Sequence, residues 1–250
     1  MRKEVIGNAT LIQGDCLTVL EAFPECFRVD ITVTSPPYNQ IDPSIMKASG
    51  MTKDRGAGLG WIEKFQEHGY ADMKDEGEYQ AWLRAIVSAC MGRSLGLVWV
   101  NHKTRYRDKQ AIHPARFLDF PIYSEVVWDR GGSLTLNARK FAPSHEFFFG
   151  FGTPHYWDDA MNKEMSVWRI SKTGVEGHVC AYPIPLVTPL IQASCPADGT
   201  VLDPFMGSGS TGIAAHQLGR KFLGIEIEPA YFDIACERIS NAQRQERLFA

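Results

Sequence analysis

The sequence predicts an α/β fold, with a mainly parallel sheet covered by helices on both faces. Three observations carry this reading. Short apolar, β-branched runs alternate with segments of helical spacing along most of the 250 residues. A glycine-rich turn, Gly207-Ser-Gly209-Ser-Thr-Gly212, joins one such run to a helical segment. The run Val29–Thr34 is β-branched and apolar enough for a strand buried inside a sheet.

Ala9–Gln13 reads as a short strand that stops at Gly14-Asp15, and Cys16–Phe23 as the helix after it. The strand Val29–Thr34 ends at Ser35-Pro36-Pro37, because proline has no N–H to give to a ladder. Residues 39–77 hold glycines at 50, 56, 58, 60 and 69 with little periodicity, and are expected to be a mobile insertion. Glu78–Met91 has helical spacing through Tyr79, Trp82, Leu83, Ile86 and Val87, and Leu95–Val100 is the strand that follows. Ile122–Trp128 and Glu146–Phe151 are two more strands. Pro183–Ala193 reads as a helix, Thr200–Asp203 as a strand, Ser210–Leu218 as a helix, Phe222–Glu226 as a strand and Pro229–Gln245 as the last helix. There is no internal repeat and no second boundary, so residues 1–250 are read as one domain.

A hydrophobic share of 44% and a charged share of 22% are ordinary for a globular chain, and no apolar stretch approaches the roughly 18 residues of a membrane helix. The N-terminal residues lack the apolar run of a secretory signal, so a cytoplasmic location and no membrane partner are expected. The six cysteines, at 16, 26, 90, 180, 195 and 236, form no CxxC pair; reduced thiols and no structural zinc are expected. The net charge of −3 argues against a basic coat, but residues 101–145 carry 8 basic and 4 acidic side chains between two acidic flanks. A basic stripe of that kind suits contact with phosphates along one face, and a single solvated helix face produces the same count.

The glycine turn matches G-x-G-x-x-G between a strand and a helix, and Glu226 ends the next predicted strand at the spacing of a ribose-binding acid. A nicotinamide oxidoreductase is therefore a competing reading, with His102, His113 and His145 as acid–base candidates that no motif supports. A P-loop is excluded, since no Gly-Lys-Ser/Thr follows the glycines. Asp203, just before the turn, would repel a pyrophosphate yet suits the ammonium of an amino-acid-like cofactor such as S-adenosylmethionine.

Asp203-Pro204-Phe205-Met-Gly207-Ser208-Gly209-Ser210-Thr211 resembles the S-adenosylmethionine motif of the DNA amino-methyltransferases. Thr34-Ser35-Pro36-Pro37-Tyr38 resembles their catalytic motif, and the order, catalytic motif first, is similar to the permuted β-type arrangement of that family. The resemblance implies a Rossmann-like methyltransferase fold with circularly permuted motifs. It implies cofactor contacts from the Asp203–Thr211 motif, from Glu226 and from Asp15 (at the adenine), with His178–Leu186 beside the methionine end. It implies that Ser35 and the Pro36 carbonyl accept the hydrogens of a flipped base's exocyclic amine, that Pro37 stiffens the turn, and that Tyr38 stacks on the base. It further implies direct transfer, which fits the lack of a Pro-Cys nucleophile. Ser35, and Tyr182-Pro183 where a Lys-Pro pair is the alternative, lean slightly to cytosine N4 over adenine N6.

For double-stranded DNA, Lys103, Arg105, Arg107, Lys109, Arg130, Arg139 and Lys140 are candidate phosphate contacts within 101–145. A homodimer and a cognate restriction nuclease are partners the sequence leaves open. Among the rivals, an RNA or protein-amide methyltransferase is expected to carry Asn-Pro-Pro-Tyr after its cofactor motif, and a silent DNA- or S-adenosylmethionine-binding module to show damage in one motif; neither fits here.

Overall fold

The computed structural model describes residues 1–39, 74–107, 110–131, 141–172, 174–175 and 181–249. The insertion expected at 39–77 thus lies outside the described residues from 40 to 73. The β-branched runs pair as a parallel core. In spatial order these strands are β2 (Ala9–Gln13), β11 (Lys221–Glu226), β10 (Thr200–Asp203), β3 (Ile31–Thr34) and β4 (Val98–His102). Past β4 the sheet turns antiparallel through β8 (His145–Phe151) and β7 (Ile122–Asp129), and β9 (Val167–Arg169) closes that edge parallel to β7. β1 (Arg2–Ile6) lies antiparallel on β2 at the other edge. A separate two-stranded hairpin joins β5 (Arg105–Arg107) to β6 (Gln110–Ile112).

Helices cover both faces. On one side α1 (Cys16–Ala22), α2 (Glu76–Arg93) and α3 (Pro114–Leu118) pack with Val98, Val100, Leu202 and Leu223. On the other, α4 (Ile184–Ser194), α5 (Ser210–Gln217) and α6 (Pro229–Phe249) pack with Ile31, Val33, Trp99 and Val201. Neighbouring residues such as Val201 and Leu202 serve opposite faces, as the two-residue period of a strand requires. β8 does the same: Phe148 joins the α4–α6 side, while Phe149 and Phe151 join the other. Each of those rings is fully buried and contributes about 1.5–3 kcal/mol. Among the described residues no helix is long and apolar enough to cross a membrane.

Two boundaries differ from the sequence expectation in a way that matters for the site. β4 starts at Val98 rather than Leu95 and runs on through Asn101 and His102. Leu95 and Gly96 instead give their N–H groups to the carbonyls of Val29 and Asp30, so Val29 forms only an isolated bridge with Ser94 and β3 begins at Ile31. α2 starts two residues early, because Asp75 caps the N–H groups of Gly77 and Glu78. The sequence reading missed β1, the β5–β6 hairpin, α3 and β9, whose short, charged or exposed strands show no clean alternation. Along the middle of the sheet β10 and β3 are neighbours from which the strand order runs both ways, so their carboxyl ends form the crevice where open α/β sheets bind ligands.

Candidate active site

The two motifs, far apart in sequence, meet at those strand ends. The Thr34 hydroxyl donates to Asp203 Oδ1 at 2.7 Å, and the Phe205 N–H reaches the same oxygen at 3.1 Å. Oδ2 accepts from Thr211 Oγ1 at 2.6 Å and from the Tyr182 hydroxyl at 3.2 Å, and those two hydroxyls also bond each other. Asp203 is completely buried, and burial raises its carboxyl above the usual carboxylate range against the pull of these donors. Burial, then Asp203 itself, pushes the Tyr182 phenol well above its ordinary range. This corrects the expectation that Asp203 receives a cofactor ammonium: four protein donors surround it, and its role is to tie the catalytic strand to the cofactor turn.

The turn itself follows from its glycines. Gly209 has φ of 79°, a left-handed conformation natural to glycine, and a Cβ there would lie 3.1 Å from Ile239 and 3.2 Å from Ala235 of α6. Gly212 lets α5 sit on β11, since a Cβ would meet Ile239 and Phe222 at 2.7 and 2.8 Å. Ser208, Ser210 and Thr211 are buried, so the turn offers a ligand its backbone rather than their hydroxyls. From behind, the Arg238 guanidinium donates to the Ser208 carbonyl. Glu226, at the end of β11, accepts from the Gly207 N–H and the Glu228 N–H, both at 2.9 Å, and each carboxylate oxygen keeps a second lone pair. Burial raises its carboxyl to about 7. Asp15 caps α1 through Thr18 and stays exposed one turn from Glu226, whose carbonyl accepts the Gly14 N–H at 2.9 Å. Phe205 stands edge-on to Trp82 of α2, with centroids 5.7 Å apart, as an apolar wall.

This set of groups fits an adenosyl amino acid. Two carboxylates on adjacent strand ends suit ribose hydroxyls and an adenine amine, an aromatic wall suits the purine, and a tight glycine turn admits close backbone approach. Tyr182 lies at the foot of the same turn. Residues 178–180 of the expected His178–Leu186 segment lie outside the described residues.

The catalytic turn leaves β3 with Ser35 and Tyr38 both half-buried. Ser35 Oγ donates to Asn101 Oδ1 at 3.2 Å and lies 3.0 Å from the Tyr38 hydroxyl. Tyr38 in turn bonds to Asn101 Oδ1 and to Glu146 Oε2, the latter at 3.0 Å. Asn101 Nδ2 donates to the Phe147 carbonyl at 2.9 Å, which fixes the amide oxygen toward the turn. Asn101 Oδ1 and the Glu146 carboxylate only accept, so they draw both hydroxyl protons and leave the Ser35 oxygen with free lone pairs. Asn39, at φ of 52°, closes the turn: its amide donates to the Lys74 carbonyl at 3.0 Å and accepts the Lys74 N–H at 2.8 Å.

Of the basic residues expected on DNA, the described Arg105, Arg107 and Arg130 turn toward acceptors of the fold. Arg105 is 3% exposed, pairs with both oxygens of Glu76 at 2.6 and 2.7 Å, and lies over Tyr79 and Phe117. Arg107 donates to the Asn39 carbonyl at 2.7 Å, and Arg130 pairs with Glu146 Oε1 at 2.8 Å. Arg105 and Arg130 are thus internal ion-pair partners, a correction to their expected phosphate contact: a guanidinium sealed on a carboxylate inside the fold does not reach a duplex. Lys103 lies over the Tyr38 ring, 5.5 Å from its centroid. Lys109, Arg139 and Lys140 fall outside the described residues. Of the histidines, His102 is buried, and His113 and His145 stand edge-on to Phe147 at 4.8 and 5.0 Å.

Sequence reasoning missed Asn101, Glu146 and Tyr79 as site residues. Only Asn101 had a usable signal, a polar residue at the carboxyl end of a strand beside the catalytic one. The others depend on the antiparallel β7–β8 register, which sets Trp128 opposite Glu146, or on helix placement.

Comparison with known proteins agrees with this geometry. Residues 29–237 match the family described as DNA methylase. The chain is 27% identical over 269 residues to the type II methyltransferase M.HinfI of Haemophilus influenzae, covering 96% of this chain and 71% of that one. It is 26% identical over 278 residues to the type II methyltransferase M.Cfr9I of Citrobacter freundii, covering 94% and 88%. Among solved structures, the cytosine-N4-specific PvuII DNA methyltransferase superposes with a TM-score of 0.68 at 17% identity, over 96% of this chain and 93% of that chain. The complex of M1.HpyAVI with S-adenosylmethionine gives 0.61 at 20%, over 92% and 99%.

Proposed function

The chain belongs to the DNA methylase family, and from that premise we infer that its two meeting motifs move a methyl group from S-adenosylmethionine to the exocyclic amine of a base in double-stranded DNA. The observation that carries the reading is the Thr34–Asp203 hydrogen bond at 2.7 Å, which sets the amine-handling turn beside the glycine turn. The nicotinamide reading of that turn falls with the family match, and buried His102 offers no acid–base group to a substrate.

When bound, S-adenosylmethionine supplies an electrophilic methyl on a sulfonium sulfur. Glu226 and Asp15 would hold its ribose and adenine, Phe205 its purine face, and the backbone of Gly207–Gly209 its amino-acid end. An exocyclic amine is a poor nucleophile because its lone pair is delocalised into the ring. Ser35 Oγ and the Pro36 carbonyl accept its hydrogens, which draws them out of plane and returns electron density to nitrogen. Tyr38 stacks on the flipped base and keeps water from it. The partner of Ser35 is the Asn101 amide rather than a carboxylate, so Ser35 acts as an acceptor and not as an alkoxide. The methyl would leave with the carbon–sulfur electron pair kept by sulfur, and the methylated nitrogen, cationic and acidic, would give its proton to water as the base is released.

Cytosine N4 is the base this reading takes, supported by Ser35 at the first motif position and Tyr182-Pro183 beside the cofactor turn. Lys103 and Arg107 remain the described cations proposed for phosphate contact. The type II class of the curated relatives supports service beside a cognate restriction nuclease; a second copy of the chain is a further proposed partner. Labelled methyl transfer to unmethylated DNA, followed by nucleoside mass analysis, is expected to yield N4-methylcytosine. N6-methyladenine would keep the mechanism and overturn the base, and no label on DNA would overturn the reaction.

Glu226 sets an expected pH dependence. Ribose hydroxyls donate to its ionised form, so cofactor affinity should fall as pH drops below about 7 and level off above it, where the carboxyl has lost its proton. Glu226→Gln should flatten that dependence in calorimetric titrations from pH 5.5 to 8.5; an unchanged slope would remove Glu226 from the contact. The sign for the unliganded fold is opposite. Its raised carboxyl holds a proton that the unfolded chain has released, so this group's contribution weakens as pH climbs from its ordinary value of 4.5 to about 7.

A further inference from the structure

We propose that Tyr79 and His102 are positioning residues for methyl transfer, a buried pair that fixes the carbonyl of Pro37 and with it the catalytic turn. The inference rests on the methyltransferase reading above and adds two residues to it. Tyr79 projects from α2 and His102 from the end of β4, and both are buried. The Tyr79 hydroxyl is 2.6 Å from the Pro37 carbonyl oxygen and 2.8 Å from His102 Nε2.

The proton positions follow from counting. A carbonyl only accepts, so the single Tyr79 proton goes to Pro37. His102 Nε2 must then carry a hydrogen and donate to the Tyr79 oxygen. His102 Nδ1 is left as an acceptor, and the Lys103 N–H meets it at 2.9 Å. Nδ1 also lies 2.8 Å from the Lys103 carbonyl, a contact that only hydrogen on Nδ1 could use; the Nε2–H tautomer forgoes it and satisfies the Pro37, Tyr79 and Lys103 N–H contacts together. Burial keeps the ring neutral, holding its pKa down at about 3, with Arg105 and Lys103 adding to the effect.

The same ring is a wall for the base-stacking tyrosine, with its centroid 4.8 Å from that of Tyr38. The pair therefore touches the turn twice, at the Pro37 carbonyl and at the Tyr38 ring. Pro36-Pro37 offers no N–H group to anchor this part of the turn, so the Tyr79 hydroxyl on the Pro37 carbonyl holds what the prolines cannot. A rotated Pro37 peptide would shift the Pro36 carbonyl away from the amine and cost rate without touching the cofactor turn.

The test has two arms. Nitrogen NMR of ring-labelled histidine should show His102 as the neutral tautomer with hydrogen on Nε2 from pH 5 to 8. The other tautomer, or a charged ring, would overturn the pairing whatever the enzyme's substrate. Kinetically, Tyr79→Phe removes one hydroxyl and should lower kcat roughly tenfold and the melting temperature by a few degrees, with cofactor affinity and KM for DNA close to the parent's. His102→Gln retains an N–H donor and should recover most of the rate that His102→Leu loses. An unchanged kcat in Tyr79→Phe, or losses of cofactor binding and stability in step with kcat, would sink the positioning role. A parent that transfers no methyl to DNA would be the failure of the methyltransferase reading, which the NMR arm does not share.

Discussion

Replacing Tyr38 by alanine is expected to lower kcat about a hundredfold while leaving cofactor affinity within a factor of about two. Stacking of one base on an aromatic ring is worth about 1–3 kcal/mol, and a flipped base without that platform also loses its orientation to Ser35. The ring is held for this use: its hydroxyl bonds to Asn101 and Glu146, and Glu146 is neutralised by Arg130. Tyr38→Phe should therefore fall between parent and alanine, since it retains the stacking face and loses only the tether. Single-turnover rates with saturating cofactor, together with cofactor titration of each variant, decide the matter. A Tyr38→Ala enzyme with normal kcat would show that the base is held elsewhere.

Asp203→Ala is expected to be the most destabilising single change at the site, by about 3 kcal/mol, or a melting point roughly 6–12 °C lower. It strips the partner from the Thr34 and Thr211 hydroxyls, the Tyr182 hydroxyl and the Phe205 N–H at once, all in a region without solvent. Both cofactor affinity and transfer rate should fall, because the carboxylate supports both motifs. Asp203→Asn keeps the shape, and the two hydroxyls on Oδ2 can rotate to accept from its amide, so it should cost about 1 kcal/mol. Thermal melts and calorimetric titration measure both variants. An alanine variant as stable as the parent, with only cofactor binding lost, would restore the direct ammonium contact.

What the sequence made legible was the part governed by periodicity and turn chemistry. Thr200–Asp203 and Ala9–Gln13 were read with their observed bounds, and Ile122–Trp128 and the last three helices were placed to within a few residues. The direction of charged side chains was not legible. Arg105, Arg107 and Arg130 look identical in sequence to surface cations, and only the packing of α2 and the β7–β8 register turns them onto Glu76, Asn39 and Glu146. Asp203 misled for a related reason: its partners come from Thr34, Tyr182 and Thr211, whose convergence is a property of the folded sheet and not of any local run.

The Thr34–Asp203 contact also has a thermodynamic meaning. One buried carboxylate is shared by the segment proposed to meet the base and the segment proposed to meet the cofactor, so the order of one segment depends on the order of the other. Sites joined in that way carry a coupling free energy, and coupling is reciprocal. Whatever factor the cofactor lends to DNA affinity, DNA must return to the cofactor, and the Thr34→Val chain, lacking that bond, should show the two ligands binding with less knowledge of each other.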